Sequence, residues 1–331
     1  MGRIWALTNW RLGLWVLSAS FGGAALCGGD AQAQSYPNQQ IRFVVPNPPG
    51  GLPDVLSRIV ADKLKDRLGQ SIIVENRPGA NAGIGASVVT ASKPDGYTFL
   101  VSDSAVVNIS HLLNAQLPFD PKDLVPMVLL ARAPIFLASS SSLPVSTFDE
   151  MVNYAKANPG KINYGSSGIG SFHHLSMEAI QTGLGIKLNH IPYKGSGESV
   201  TALRAGQIGL VFASYAGLSP AIKAQQAKML AVNSLKRSPQ APDIMAISER
   251  IPGFDLAVTQ SLFARTGTPV AVGERIAKEM AEVVKDPAII ERFTSMGIEP
   301  AVAGPVEVQQ VIKAEGEAIQ KIVTAAGLKP Q

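Results

Sequence analysis

Ile41-Arg42-Phe43-Val44-Val45 is a β-branched run halted by Pro46, and Pro48-Pro49-Gly50-Gly51 turns the chain behind it. From Pro53 onward Val55, Leu56, Ile59, Val60 and Leu64 recur at helical spacing, with proline in the first turn and Gly69 just past the end. The same strand-loop-helix grammar continues. Ile72-Ile73-Val74 stops at Asn76-Arg77-Pro78-Gly79, Gly83 to Ser92 reads as a short helix, and Tyr97 to Val101 as a third strand. Strands that alternate with helices predict a parallel, doubly wound sheet whose loops gather at the strands' carboxyl ends, where open α/β sheets bind ligands.

The middle of the chain repeats this order. Ile135 to Ala138 is apolar, Thr147 to Ala157 is an amphipathic helix, and Ile162-Asn163-Tyr164 leads into Gly165-Ser166-Ser167-Gly168-Ile169-Gly170-Ser171. Helices are expected over 171–182 and 199–205, and strands over 207–212 and 229–232. The last third reads as mainly helical: 270–284, 287–296 and 305–326. With 331 residues at 46% hydrophobic composition the chain has material for two domains, and disorder is excluded. Its 29 basic and 25 acidic side chains form no concentrated positive stripe, so no nucleic-acid partner is expected.

Arg3 and Arg11 precede the apolar stretch 12–26, which is followed by Ala31-Gln32-Ala33. This pattern predicts a secretory signal over residues 1–33, cleaved after Ala33. Cleavage would remove Cys27, the single cysteine, so the mature protein would have no disulfide, thiolate metal site or cysteine nucleophile. Export to the periplasm follows as an expectation.

Three glycine- and serine-rich loops each follow a strand and open a helix: 49–51, 165–171 and 194–197. Such loops aim backbone N–H groups and the positive ends of helix dipoles at one place, which suits an anion. Catalytic patterns are missing. Gly165-Ser166-Ser167-Gly168 does not have the flanking glycines of a nucleophile elbow, Gly168-Ile169-Gly170 does not complete a dinucleotide fingerprint, and no phosphate loop occurs. His173 and His174 are adjacent, so they point in different directions on a helix, and no His-Glu-x-x-His pattern accompanies them. No enzyme activity, metal or cofactor is expected.

At these loops, and across 36–329, the chain resembles the substrate-binding proteins of tripartite tricarboxylate transporters, the Bug-type extracytoplasmic solute receptors. The resemblance runs through Pro46 to Asp54 (Pro-x-x-x-Gly-Gly-x-x-Asp), Glu75-Asn76-Arg77-Pro78-Gly79-Ala80, Pro94-Asp95-Gly96-Tyr97-Thr98 and Leu117-Pro118-Phe119-Asp120-Pro121. It continues through Tyr164-Gly165-Ser166-Ser167-Gly168, Pro192-Tyr193-Lys194-Gly195-Ser196, Pro252-Gly253-Phe254 and Ala264 to Pro269. It implies a two-lobed, type II-like periplasmic binding protein of class α/β with ligand in the interlobe cleft. Lobe one would be 36–133 plus 258–331, and lobe two 134–257.

The resemblance also implies a small organic acid as ligand, membrane transporter subunits as partners and a monomeric receptor. Carried onto this sequence, the ligand-binding positions are Pro49, Gly50 and Gly51; Ser102 and Ser104; Ser166, Ser167, Gly170 and Ser171; and His174 and Lys194. Asp54 is expected to brace the first loop. Departures from the family pattern bear on the ligand. Ala213, beside Ser214, stands where an acidic residue is usual, which argues against amino acids and for a dianion or an apolar acid. Phe172 and His173 offer an aromatic surface, and Asn81 a reach toward a distal carboxylate. Together these point to an aromatic dicarboxylate such as terephthalate. The rival reading is a receptor that senses a citrate-like di- or tricarboxylate and signals to a sensor kinase.

Overall fold

The computed structural model describes residues 36–330 apart from 81, 114 and 115, so the expected signal segment and Asn81 lie outside the described residues. The chain runs β1 (Ile41–Val45), α1 (Leu52–Leu68), β2 (Ile72–Asn76), α2 (Gly83–Thr90), β3 (Thr98–Asp103), α3 (Ala105–Asn108), α4 (Ser110–Leu113) and β4 (Leu124–Ala133). It continues through β5 (Phe136–Ser140), α5 (Phe148–Ala157), β6 (Asn163–Ser166), α6 (Phe172–Leu184), β7 (Asn189–Pro192), α7 (Ser196–Arg204), β8 (Leu210–Ala213), α8 (Tyr215–Lys223) and β9 (Ala227–Val232). It closes with β10 (Val258–Arg265), α9 (Val270–Val283), α10 (Pro287–Met296), β11 (Glu299–Ala303) and α11 (Pro305–Ala325).

The helices start and stop where local chemistry directs. Gly69 takes the left-handed conformation at the end of α1 (φ +68°) and donates to Lys65 O. Thr147 caps α5 by accepting from Glu150 N–H, while the Glu150 carboxylate accepts from Ser146 N–H at 2.7 Å.

Two sheets result, one in each lobe of an α/β fold. The first is ordered β11-β4-β10-β3-β1-β2, the second β7-β6-β8-β5-β9. Both are mixed rather than wholly parallel: β10 runs antiparallel to β3 and to β4, and β5 antiparallel to β8 and to β9. The physical reason is the path of the chain. It leaves the first sheet after β4, builds the second, and returns through β10, which slots between β3 and β4 in the opposite sense. The sequence reading placed no strand at β4, β10 or β11. Thr259, Gln260 and Ser261 break the apolar run of β10 yet are buried, because this strand lies inside the sheet. Pro300 is tolerated in β11 because that strand forms a sheet edge.

Asn233 joins the two passages between the sheets. Its Oδ1 accepts from Ile135 N–H at 2.8 Å and its Nδ2 donates to Leu256 O at 2.6 Å, while its backbone N–H donates to Ile135 O and its backbone carbonyl accepts from Leu256 N–H. Helix α11 spans both lobes. Val308 and Ile312 pack into the core around β3 and β10, and Ile319 and Val323 into the core around β6 and α6. Among the described residues no helix is long and apolar enough to cross a membrane.

Candidate binding cleft

Two adjoining cavities of about 490 and 600 Å³ lie where the strand-helix loops of the two lobes face one another, and both are lined by Asn47, Asp103, Ala105, Ser167 and Ser171. The first turns of four helices reach the larger cavity: α1 through Leu52, Pro53 and Val55, α6 through Phe172 and His173, α7 through Ser196, and α8 through Ala216. Each has eight residues or more, so the positive ends of four dipoles converge on one space. Ser167, Ser171, Ser196, Ser214 and Ser295 line it, and among the described residues no lysine or arginine does. An anion placed there would meet helix dipoles and neutral donors on one side and the Asp103 carboxylate on another.

Each loop is held by its own network. In the first, Gly50 N–H donates to Asp54 Oδ2 at 2.9 Å, while Asp54 Oδ1 accepts from Arg58 Nε and Asn76 Nδ2. Burial pulls the Asp54 carboxyl upward, but these hydrogen bonds from Arg58, Gly50 and Asn76 outweigh it and hold the group below its ordinary range. In the second loop Ser171 caps α6, accepting from His174 N–H and donating to Gly168 O at 2.7 Å. Gly170 is left-handed at φ +79°, and a Cβ there would meet Leu113 Cδ1 of the opposite lobe at 2.6 Å. The left-handed backbone is what calls for glycine here, since a leucine side-chain tip can shift.

Beneath the loop lies a buried aromatic stack. His174 Nδ1 accepts from Gly170 N–H at 3.1 Å, its ring stacks on His190, and His190 stacks on Tyr164, whose hydroxyl donates to Glu178 Oε1 at 2.6 Å. His190 Nε2 is 2.7 Å from Ser166 Oγ, which in turn donates to Gly168 O. Burial lowers His173, His174 and His190 to about 4, so all three rings are neutral at pH 7.

Of the positions singled out from sequence, Gly50, Gly51, Ser102, Ser167, Gly170, Ser171, Phe172, His173 and Ser214 line the cavities. The others do not, for local reasons. Pro49 is exposed and lies outside the cavity lining. Ser104 is fully buried against α11, facing Glu315. Ser166 and His174 belong to the stack under the loop. Lys194 is exposed, and its backbone N–H donates to Glu198. Ala213, 2% exposed, packs into the apolar cluster around β8 and α8, directly before the cavity-lining Ser214.

Asp103 and Gln260 line the cleft without having been singled out. Asp103 lies between two serines that were, whereas Gln260 sits in a strand that apolar periodicity does not reveal. Burial raises the Asp103 carboxyl to about 6 against a hydrogen bond from Ala105 N–H, so it is largely ionised at pH 7. Among the described residues no three His, Cys, Asp or Glu side chains gather to hold a metal ion.

The family described as tripartite tricarboxylate transporter family receptor matches residues 56–328. Protein BugT of Bordetella pertussis is 31% identical over 300 residues, covering 90% of this chain and 92% of that protein. Among solved structures, R. palustris Rpa4515 with adipate matches at a TM-score of 0.79 and 30% identity, over 89% of this chain and 100% of the other. Periplasmic binding protein BugD matches at 0.74 and 28% identity, over 89% and 100%.

Proposed function

Since the chain belongs to the tripartite tricarboxylate transporter receptor family, whose members are solute receptors and not enzymes, we propose that it captures a small organic carboxylate and delivers it to the membrane subunits of such a transporter. The observation that carries this reading is the convergence of four helix N-termini and five serines on one cavity that, among the described residues, no lysine or arginine lines. The adipate in the R. palustris relative supports the ligand class. Residues 36–133 with 258–331 form one closing body and 134–257 the other, hinged where Asn233 holds Ile135 and Leu256. The protein acts in the periplasm after loss of residues 1–33. Phe172 and His173 at the cavity wall support an aromatic dicarboxylate, with terephthalate as its test case.

A thermal-shift panel of terephthalate, phthalate, benzoate, adipate, succinate, malate, citrate and aspartate tests this. Ligand at 100 times its Kd adds about 2.7 kcal/mol, a rise of a few degrees for a chain of this size. A rise with terephthalate supports the aromatic reading. A rise confined to aliphatic acids removes it but keeps the carboxylate receptor. No rise with any acid would overturn the function.

A further inference from the structure

Resting on the carboxylate-receptor reading, we infer that Asp103 and Gln260 form a specificity subsite that accepts hydrogen bonds from a donor substituent, ammonium or hydroxyl, carried by the ligand beside its carboxylate. The two residues face each other directly across β3 and β10, Gln260 paired with Asp103 in the antiparallel register. Both line the larger cavity. Asp103 Oδ1 accepts from Ala105 N–H at 3.0 Å, and its other oxygen has no hydrogen-bond partner among the described residues. Gln260 is 1% exposed and its buried Oε1 has no hydrogen-bond partner among the described residues. A buried amide oxygen without a donor is costly, so two acceptors side by side in a cleft define a place for N–H or O–H groups.

Among the described residues no side chain donates to Gln260 Oε1 or to the second oxygen of Asp103. His173 faces the cleft from α6, but its Nδ1 is engaged with Ser167 Oγ and its ring is neutral at pH 7. Glu315 of α11 lies behind Ser104 and accepts from Thr259. Arg132 is paired with Asp255, and Arg58 of α1 with Asp54. A ligand carboxylate set beside the ionised Asp103 would be repelled, so this subsite takes neither carboxylate of a diacid. An acid bearing an ammonium or hydroxyl group meets the same carboxylate with a donor instead.

The test is calorimetric titration of the purified protein at pH 7.5 with matched pairs differing in one group: malate against succinate, aspartate against succinate, and 2-hydroxyterephthalate against terephthalate. The donor-bearing acid should bind about tenfold or more tightly in at least one pair. Malate over succinate identifies a hydroxyl, and aspartate alone an ammonium. In Asp103→Asn and Gln260→Met that ratio should fall toward one. The inference is overturned if the unsubstituted diacid binds as tightly as its partner in every pair, or if the ratio survives both variants. The wild-type ratios decide the matter even if a variant fails to fold. If no acid in the panel binds, the receptor reading falls as well, which separates the two failures.

Discussion

His174 and His190 stack ring on ring, with centroids 4.2 Å apart and planes 16° from parallel, and each holds one residue of the loop that enters the cleft: Gly170 through His174 Nδ1, Ser166 through His190 Nε2. This packing depends on both rings being neutral, because two imidazolium ions at that distance repel and the buried His174 would not be solvated. The binding loop therefore rests on a pair whose charge state follows pH.

The pH dependence has a definite sign. Burial holds both rings near 4, below the ordinary 6.5, so the unfolded chain binds more protons between those values. Their contribution is present above pH 6.5 and lost as pH falls toward 4. Asp103 and Glu315, whose carboxyls are raised, act in the opposite sense over part of that range. We expect the midpoint of thermal unfolding to fall more steeply from pH 6.5 to 4.5 in the wild type than in His190→Phe, which keeps the stack without the charge. Parallel curves would remove the pair from the pH response.

Glu315 makes the complementary prediction. Burial raises its carboxyl from 4.5 to about 7 against a hydrogen bond from Thr259. Stability is thus lost as pH rises through that window, and Glu315→Gln should relieve the loss. Urea unfolding should show the variant more stable by on the order of 1–3 kcal/mol at pH 8, with little difference at pH 4.5.

Asn233 should be among the least replaceable side chains. Truncation to alanine leaves Ile135 N–H and Leu256 O buried without their partners. Chemical unfolding should report a loss of about 2–4 kcal/mol, from two unsatisfied backbone groups. A loss below 1 kcal/mol would mean that water replaces the side chain.

Ser171 separates folding from binding. Ser171→Ala removes the α6 cap and should cost about 1 kcal/mol of stability and weaken carboxylate binding. Ser171→Asp keeps a capping oxygen and adds a negative charge at the cleft wall. It should therefore retain most of the stability and lose more affinity than the alanine variant, as read by thermal unfolding and by titration.

Local patterns carried a large share of the architecture. Proline and glycine punctuation marked the helices α1, α6, α10 and α11 nearly to their ends, since caps and breakers act within one turn of chain. The small-residue loops before α1, α6 and α7 were legible because glycine and serine cluster where backbone must turn and donate. Strands β4, β10 and β11 were not legible. Burial inside or at the edge of a sheet is granted by neighbours distant in sequence, and Thr259, Gln260 and Ser261 have no apolar signature of their own.

The site divides along the same line. Ser167, Ser171 and Gly170 reach the cleft because their loop can point its amides only beyond the end of β6, a consequence of local chain geometry. Which residue of an adjacent pair faces ligand was decided by packing. His173 lines the cavity while His174 turns inward, because α6 buries one side against Tyr164 and His190. Asp103 and Gln260 meet only because β10 returns between β3 and β4 after more than a hundred residues spent building the other lobe. The sequence by itself determined the helices, their caps and the anion-holding loops, all short-range effects. The partners across the cleft were decided by tertiary structure, because strand order is set by the burial of whole elements rather than by any residue's neighbours in the chain.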